Sequence, residues 1–148
     1  MRTNTDCSVY NYYRYSATGL EEWRRTLLDA VHWESGSGID VTRAGIAPGA
    51  YADALTTVYI PFGVSADGGQ KTYLPPLEFA ALDPDAVTRH WTLTPGQDRL
   101  IMGEAPELAP GESPKALTGK YDNCVTVRSV AALNFGSPAM QHWEVVCT

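Results

Sequence analysis

Three histidines, His32, His90 and His142, are each followed at once by a tryptophan, Trp33, Trp91 and Trp143. Three imidazoles are enough to hold a zinc ion with a fourth position open to water. In a strand, however, successive side chains point to opposite faces, so a tryptophan in the core sets its histidine on the outside of the sheet. A metal would need three such outer faces to meet, whereas aromatic anchors with polar neighbours need only a barrel wall. The histidines therefore read as structural or interface residues, with no metal and no cofactor. Trp33, Trp91 and Trp143, together with Trp23, read as structural anchors.

Other reactive constellations fare no better. The stretch from Gly63 to Thr72 holds the ingredients of a phosphate loop, but such a loop needs Gly-Lys-Ser/Thr contiguous, and Gln70 separates Gly69 from Lys71. A hairpin tip is the better reading. No Gly-x-Ser-x-Gly elbow is present, and no cysteine lies near a histidine in sequence. The carboxylate pairs Glu21–Glu22 and Asp83/Asp85 flank turns and read as solvated. Cys7, Cys124 and Cys147 form an odd set without Cys-x-x-Cys spacing, which disfavours a disulfide framework or a zinc site. A Cys124–Cys147 bridge would need an oxidising compartment, and reduced thiols are expected. Nothing demands an active site, and the chain is read as a non-enzyme.

Composition sets the outer limits. The chain has 148 residues, 17 acidic against 11 basic, a formal charge of −6 and 44% hydrophobic residues. That length supports one core, so residues 1–148 read as a single domain. The acidic balance leaves no basic field to bind nucleic acid by phosphate neutralisation. No apolar run approaches the roughly 18 residues that span a bilayer, so no membrane partner is expected. The polar start, Met1 to Ser8, shows no secretory leader.

The elements that must position these residues are mostly strands. Val9–Tyr15 is tyrosine-rich and runs into the turn-prone Ser16 to Gly19. Leu20–Trp33 fits both a helical stripe and an alternating face; propensity leans to helix, but its two tryptophans and the glycine-rich exit favour a long strand or a bulged strand pair. Ala54–Phe62 carries Thr56, Thr57, Val58, Tyr59 and Ile60 and reads as a strand. The turn after it contains Asp67, Gly68 and Gly69, which supply the positive φ of a hairpin tip, and a protruding hairpin closing on Tyr73–Leu74 is expected. A short helical turn is expected within Pro76–Leu82, and Pro84 could start another. Trp91–Thr94 and Arg99–Gly103 read as a strand pair across Pro95–Gly96, and Cys124–Val130 with Met140–Cys147 as a terminal hairpin. Between them, Ala105–Gly119 is the longest loop, of a length that is usually functional or mobile. The fold class expected is all-β: a small β-barrel or sandwich with long loops and at most short helices.

The order Val9-Tyr10-Asn11-Tyr12-Tyr13, Trp23-Arg24-Arg25-Thr26, Val31-His32-Trp33, Val58-Tyr59-Ile60-Pro61, Tyr73-Leu74-Pro75-Pro76, Trp91-Thr92-Leu93, Asp98 to Glu104, Val125 to Val130 and His142 to Val146 resembles a family of small minor head proteins of tailed bacteriophages. The resemblance covers nearly the whole chain, apart from Gly38–Ala52, which looks like an insertion. It implies a head-tail stopper of the virion neck, made in the host bacterial cytoplasm. Such a subunit forms a six- or twelvefold ring with itself and joins the portal and adaptor ring above to the tail terminator or tail tube below. It retains packaged DNA that passes non-specifically through its lumen. On that reading Ser65, Asp67, Gly68, Gly69, Gln70 and Lys71 are candidates for a gate or inter-ring loop. Glu107, Glu112 and Lys115 mark a second inter-ring loop. An adaptor or tail-completion role in the same neck is the first alternative; adaptors tend to be helical. From another class, Tyr10, Tyr12, Tyr13 and Tyr15 with the tryptophans could form the stacking platform of a small carbohydrate-binding β-sandwich.

Overall fold

A computed structural model describes residues 2–36 and 55–148; the Gly38–Ala52 segment lies outside the described residues. The chain is mainly β, with 44% of residues in strands and 12% in helix. The wall is built from β1 (Thr5–Arg14), β2 (Glu21–Ser35), β3 (Thr56–Pro61), β7 (Arg99–Met102), β8 (Cys124–Leu133) and β9 (His142–Cys147). Their order is β1-β7-β8-β9-β3-β2, and β2 pairs back onto β1, which closes a six-stranded antiparallel barrel. Closure removes the edges that an open sheet would leave along most of its length.

The helix-or-strand ambiguity of Leu20–Trp33 resolves as a single long strand, because β2 serves two partners. Its first part pairs with β1 from Glu21 to Val31, and its last four residues, His32 to Ser35, pair with β3. The transfer occurs at a bulge: the register slips between Thr5/Val31 and Cys7/Leu28, and Ala30 takes a φ of +64°. The extra residue bends the strand toward its next neighbour.

β3 and β9 alternate strictly between buried and partly exposed positions, as expected of walls with one wet face. Their inward residues, Val58, Ile60, Trp143, Val145 and Cys147, pack with Val9, Leu28, Val31, Trp33, Trp91, Leu93 and Leu100 in the main core. β1 departs from the alternation, because every residue from Cys7 to Asn11 is buried. Its outer residue Tyr10 belongs to a second cluster with Ile101, Ala105 and Leu117, so the Ala105–Gly119 loop covers the outside of the wall.

Two expected pairings are corrected. The turn at Asp67 does not close a hairpin between β3 and Tyr73. The two-residue strand β4 (Ser65–Ala66) pairs with Leu28 and Asp29 of β2, and β5 (Thr72–Tyr73) pairs in parallel with β6 (His90–Trp91). Likewise Trp91–Thr94 does not pair with Arg99–Gly103; β7 pairs with β1 and β8. The Pro95–Gly96 turn forms, with Asp98 N–H donating to Thr94 O at 3.0 Å, but it joins different layers. The short helix α1 (Pro76–Ala80) and a 3-10 turn at Ala86–Arg89 fill the expected helical positions. The terminal hairpin is present as β8 and β9, which pair from Val127/Cys147 out to Leu133/His142.

All three cysteines are free. Cys147 lies in the main core, whereas Cys124 packs in the cluster outside the wall, so a bridge between them would have to pass through the sheet. Burial pushes the Cys147 thiol up to about 12 and raises that of Cys7 further still, with Cys147 beside it adding to the effect. Such thiols are inert while the barrel is closed.

Candidate functional site

The first candidate segment folds back onto the barrel. β2 has an unpaired edge ahead of its contact with β4, and the turn at Asp67 covers it with side chains. Asp67 Oδ1 accepts from Leu27 N–H at 2.7 Å, and Asp67 N–H donates to Leu27 O at 2.9 Å. Lys71 Nζ donates to Arg25 O and to Thr26 Oγ1, each at 3.0 Å, and lies 2.9 Å from Asp67 Oδ2. All three ammonium protons are thereby engaged. The turn needs positive φ at Asp67, Gly68 and Gly69, at +47°, +69° and +90°, and the two glycines supply it without steric cost. Ser65 is held in β4, so the freely exposed part of this candidate is Gly68, Gly69 and Gln70.

The second candidate segment is also held down. Ser8 Oγ donates to Gly103 O at 2.8 Å and accepts from Ala105 N–H at 2.9 Å. Tyr10 donates its hydroxyl proton to Pro106 O at 2.6 Å, and Arg25 Nη1 donates to Ala105 O at 2.7 Å. A 3-10 turn at Pro114–Leu117 then drops Leu117 onto Tyr10. The length of this loop thus reflects a cover over the wall; Glu107, Glu112 and Lys115 remain on its exposed side.

The two segments meet at Arg25, which lies 3.6 Å from Glu107. Between them is a polar cleft of about 320 Å³ lined by Arg24, Arg25, Asp67, Gln70, Lys71 and Glu107. Each of its cations faces a carboxylate: Arg24 faces Glu22 at 3.0 Å, Lys71 faces Asp67 and Arg25 faces Glu107. The cleft is balanced in charge and carries no nucleophile paired with a base.

Asp98, which closes the Pro95–Gly96 turn, is the polar group that sequence reading misses. It is completely buried, and its carboxylate accepts from Tyr12 N–H at 3.0 Å, Asn11 Nδ2 at 2.7 Å and Thr94 N–H at 2.8 Å. Asn11 continues the network to Thr92, donating to its carbonyl at 2.6 Å and accepting its N–H at 3.1 Å. Burial pushes the Asp98 carboxyl up to about 6, against the opposing pull of those donors. Its backbone carbonyl accepts from Val127 N–H at 2.9 Å, so this group ties together the point where β8 leaves β7. An aspartate two residues after a Pro-Gly pair is the signal for such a role, since it can accept the N–H of the residue that opens the turn, here Thr94.

The anchors separate into two groups. Trp33, Trp91 and Trp143 are buried, whereas Trp23 is half-buried in the outer cluster against Tyr12, with ring centres 5.5 Å apart. Tyr10 and Tyr13 are also buried, so these rings do not assemble an exposed stacking platform. Two histidines do share an outer face: Tyr59 stands between His32, at 5.7 Å, and His142, at 5.8 Å, with Glu34 and Glu144 close by. Partial burial and those two carboxylates raise the Tyr59 phenol above its usual range. His90 is apart from them, with Nδ1 3.0 Å from Ala86 O. No cluster of three or more metal-ligating side chains occurs among the described residues.

A family model matches residues 2–148. The chain belongs to DUF6751, a family of unknown function. No curated protein and no solved structure matches the chain. The DUF6751 match spans the barrel, the two anchored segments and the buried Asp98 network together.

Proposed function

We propose that this protein is a structural subunit of a bacteriophage neck, a stopper whose ring joins the portal and adaptor to the tail and retains packaged DNA. The closed all-antiparallel barrel is the observation that carries the reading. A ring subunit needs a stiff wall to set its geometry and short exposed loops to meet partners of other symmetry, and the side-chain anchors on both long segments supply that stiffness. The helical share of 12% favours a stopper over an adaptor. The formal charge of −6 suits a channel that lets DNA leave, because counterion-release binding would retard it.

On this reading the contacts are made by the exposed parts only: Gly68 to Gln70, the Glu107–Glu112 stretch with Lys115, and the tip of the β8–β9 hairpin. The test is particle assembly. Particles made without this chain should lose their DNA and fail to join tails, and imaging of complete particles should find it as a ring in the neck. Particles that keep DNA and join tails without it would sink the reading.

A further inference from the structure

Among the described residues two strand edges of this barrel are finished differently: the β2 edge is covered by side chains, and the β8 edge meets no second strand. β8 pairs with β7 only as far as Thr126 and then continues to Leu133 with β9 alone on one side; among the described residues no strand pairs with its other edge. That stretch, Ser129-Val130-Ala131-Ala132-Leu133, contains no charge and no proline, the usual devices that keep an edge from pairing with another chain. The β2 edge, by contrast, is closed by Asp67 and Lys71. Beside the bare edge runs a groove of about 340 Å³ lined by Tyr73, Pro75, Pro76, Pro95, Val130 and Ala132.

We infer that the β8 edge is a docking site for the same edge of a second copy of this chain, paired antiparallel about a two-fold axis through Ala131. The occupant follows from the residues that would meet. Pairing centred on Ala131 sets Val130 opposite Ala132, Ser129 opposite Leu133 and Arg128 opposite Asn134, so no like charges face each other. Val130 and Ala132 lie on the face of β8 that carries the buried Val145 and Trp143 across the pair. The incoming Val130 and Ala132 therefore enter the groove, filling it with the small apolar side chains it already presents. A charged partner strand would bring unpaired charge against Tyr73 and the prolines. Main-chain hydrogen bonds supply affinity and the groove supplies specificity, as in other strand additions. The contact rests on the fold and not on the neck reading: a two-fold pair reverses one copy and has no place within a ring whose subunits all face the same way, so it describes the chain free in solution.

The test uses the full chain in solution. Sedimentation velocity in reducing buffer should show a monomer–dimer equilibrium, and Ala131→Lys, which sets like charges opposite each other, should raise the dissociation constant at least tenfold with unchanged circular dichroism. Ala131→Cys should cross-link to itself on mild oxidation, since paired antiparallel residues fall within the Cα separation a disulfide spans. Mass-spectrometric mapping should find the two introduced thiols of the Ala131→Cys chains joined to each other, and a Thr118→Cys control should give no such product. A wild-type chain that stays monomeric near millimolar concentration, or self-association that persists in Ala131→Lys while Ala131→Cys gives no cross-link at the introduced thiol, overturns the inference. Should Ala131→Lys fail to fold, the cross-link alone decides.

Discussion

The turn at Ser65–Lys71 and the hairpin at Ser129–His142 both lie beyond the closed part of the barrel, yet they are finished in opposite ways. The turn is short and spends its polar side chains on the neighbouring strand: Asp67 caps Leu27 N–H and Lys71 caps Arg25 O. The hairpin is longer and keeps no such contact at its apex, where Phe135 is 72% exposed and Met140 64%. A strand edge can be protected by side chains as well as by another strand, and the choice shows in composition. Charge lies at the covered edge, and small apolar residues lie at the open one.

This contrast can be broken most directly at the root of the hairpin. Asp98→Ala leaves Tyr12 N–H and Thr94 N–H without their acceptor in a buried site, and should cost about 4 kcal/mol, read by chemical denaturation. The same carboxyl gives stability a pH dependence. Its folded value of about 6 lies above the usual 3.8, so the folded state holds this proton more tightly than the unfolded chain does. The resulting contribution is full below 3.8 and is lost as pH rises through about 6, a swing of roughly 3 kcal/mol. Denaturation at a series of pH values should show the slope, and Asp98→Asn should remove it.

At the covered edge the effect is smaller, because water can reach the freed groups. Asp67→Ala should cost about 2 kcal/mol by thermal unfolding, from the loss of the Leu27 N–H acceptor and of the Lys71 partner. The exposed apex should barely register: Phe135→Ser is expected to change stability by less than about 0.5 kcal/mol. A large loss there would mean that the tip packs on its own chain, and the contrast between the two regions would be wrong.

Where the chain's own neighbours decide structure, the sequence is a sufficient guide. β3 stops at Pro61, the glycines at 68 and 69 take positive φ, and β8 and β9 pair as a hairpin. What escapes it are choices made between distant segments. β4, β5 and β6 have two residues each, too few to show a period, and the β5–β6 pairing is parallel across an intervening helix. The Ala105–Gly119 loop has no periodicity because its place is set by Ser8, Tyr10 and Arg25 on other strands. Asp98 reads as an ordinary turn residue, since its burial depends on Asn11 and Thr92 arriving from elsewhere. Among the candidate site residues, Asp67 and Lys71 are polar as an exposed turn requires, yet they point back at β2 instead of outward.

The position of β9 between β3 and β8 has a consequence for how the molecule is made. Residues 142–147 are a middle stave of the wall, although they come late in the chain. During synthesis every stave before them can be present while the wall still has a gap, with Val58 and Ile60 facing water on one side and Val127 on the other. Folding must therefore wait for His142–Cys147 to leave the ribosome, and it then proceeds through contacts between distant segments, the regime in which domains take milliseconds to seconds. A nascent chain halted before His142 is the form of this protein that a chaperone would meet.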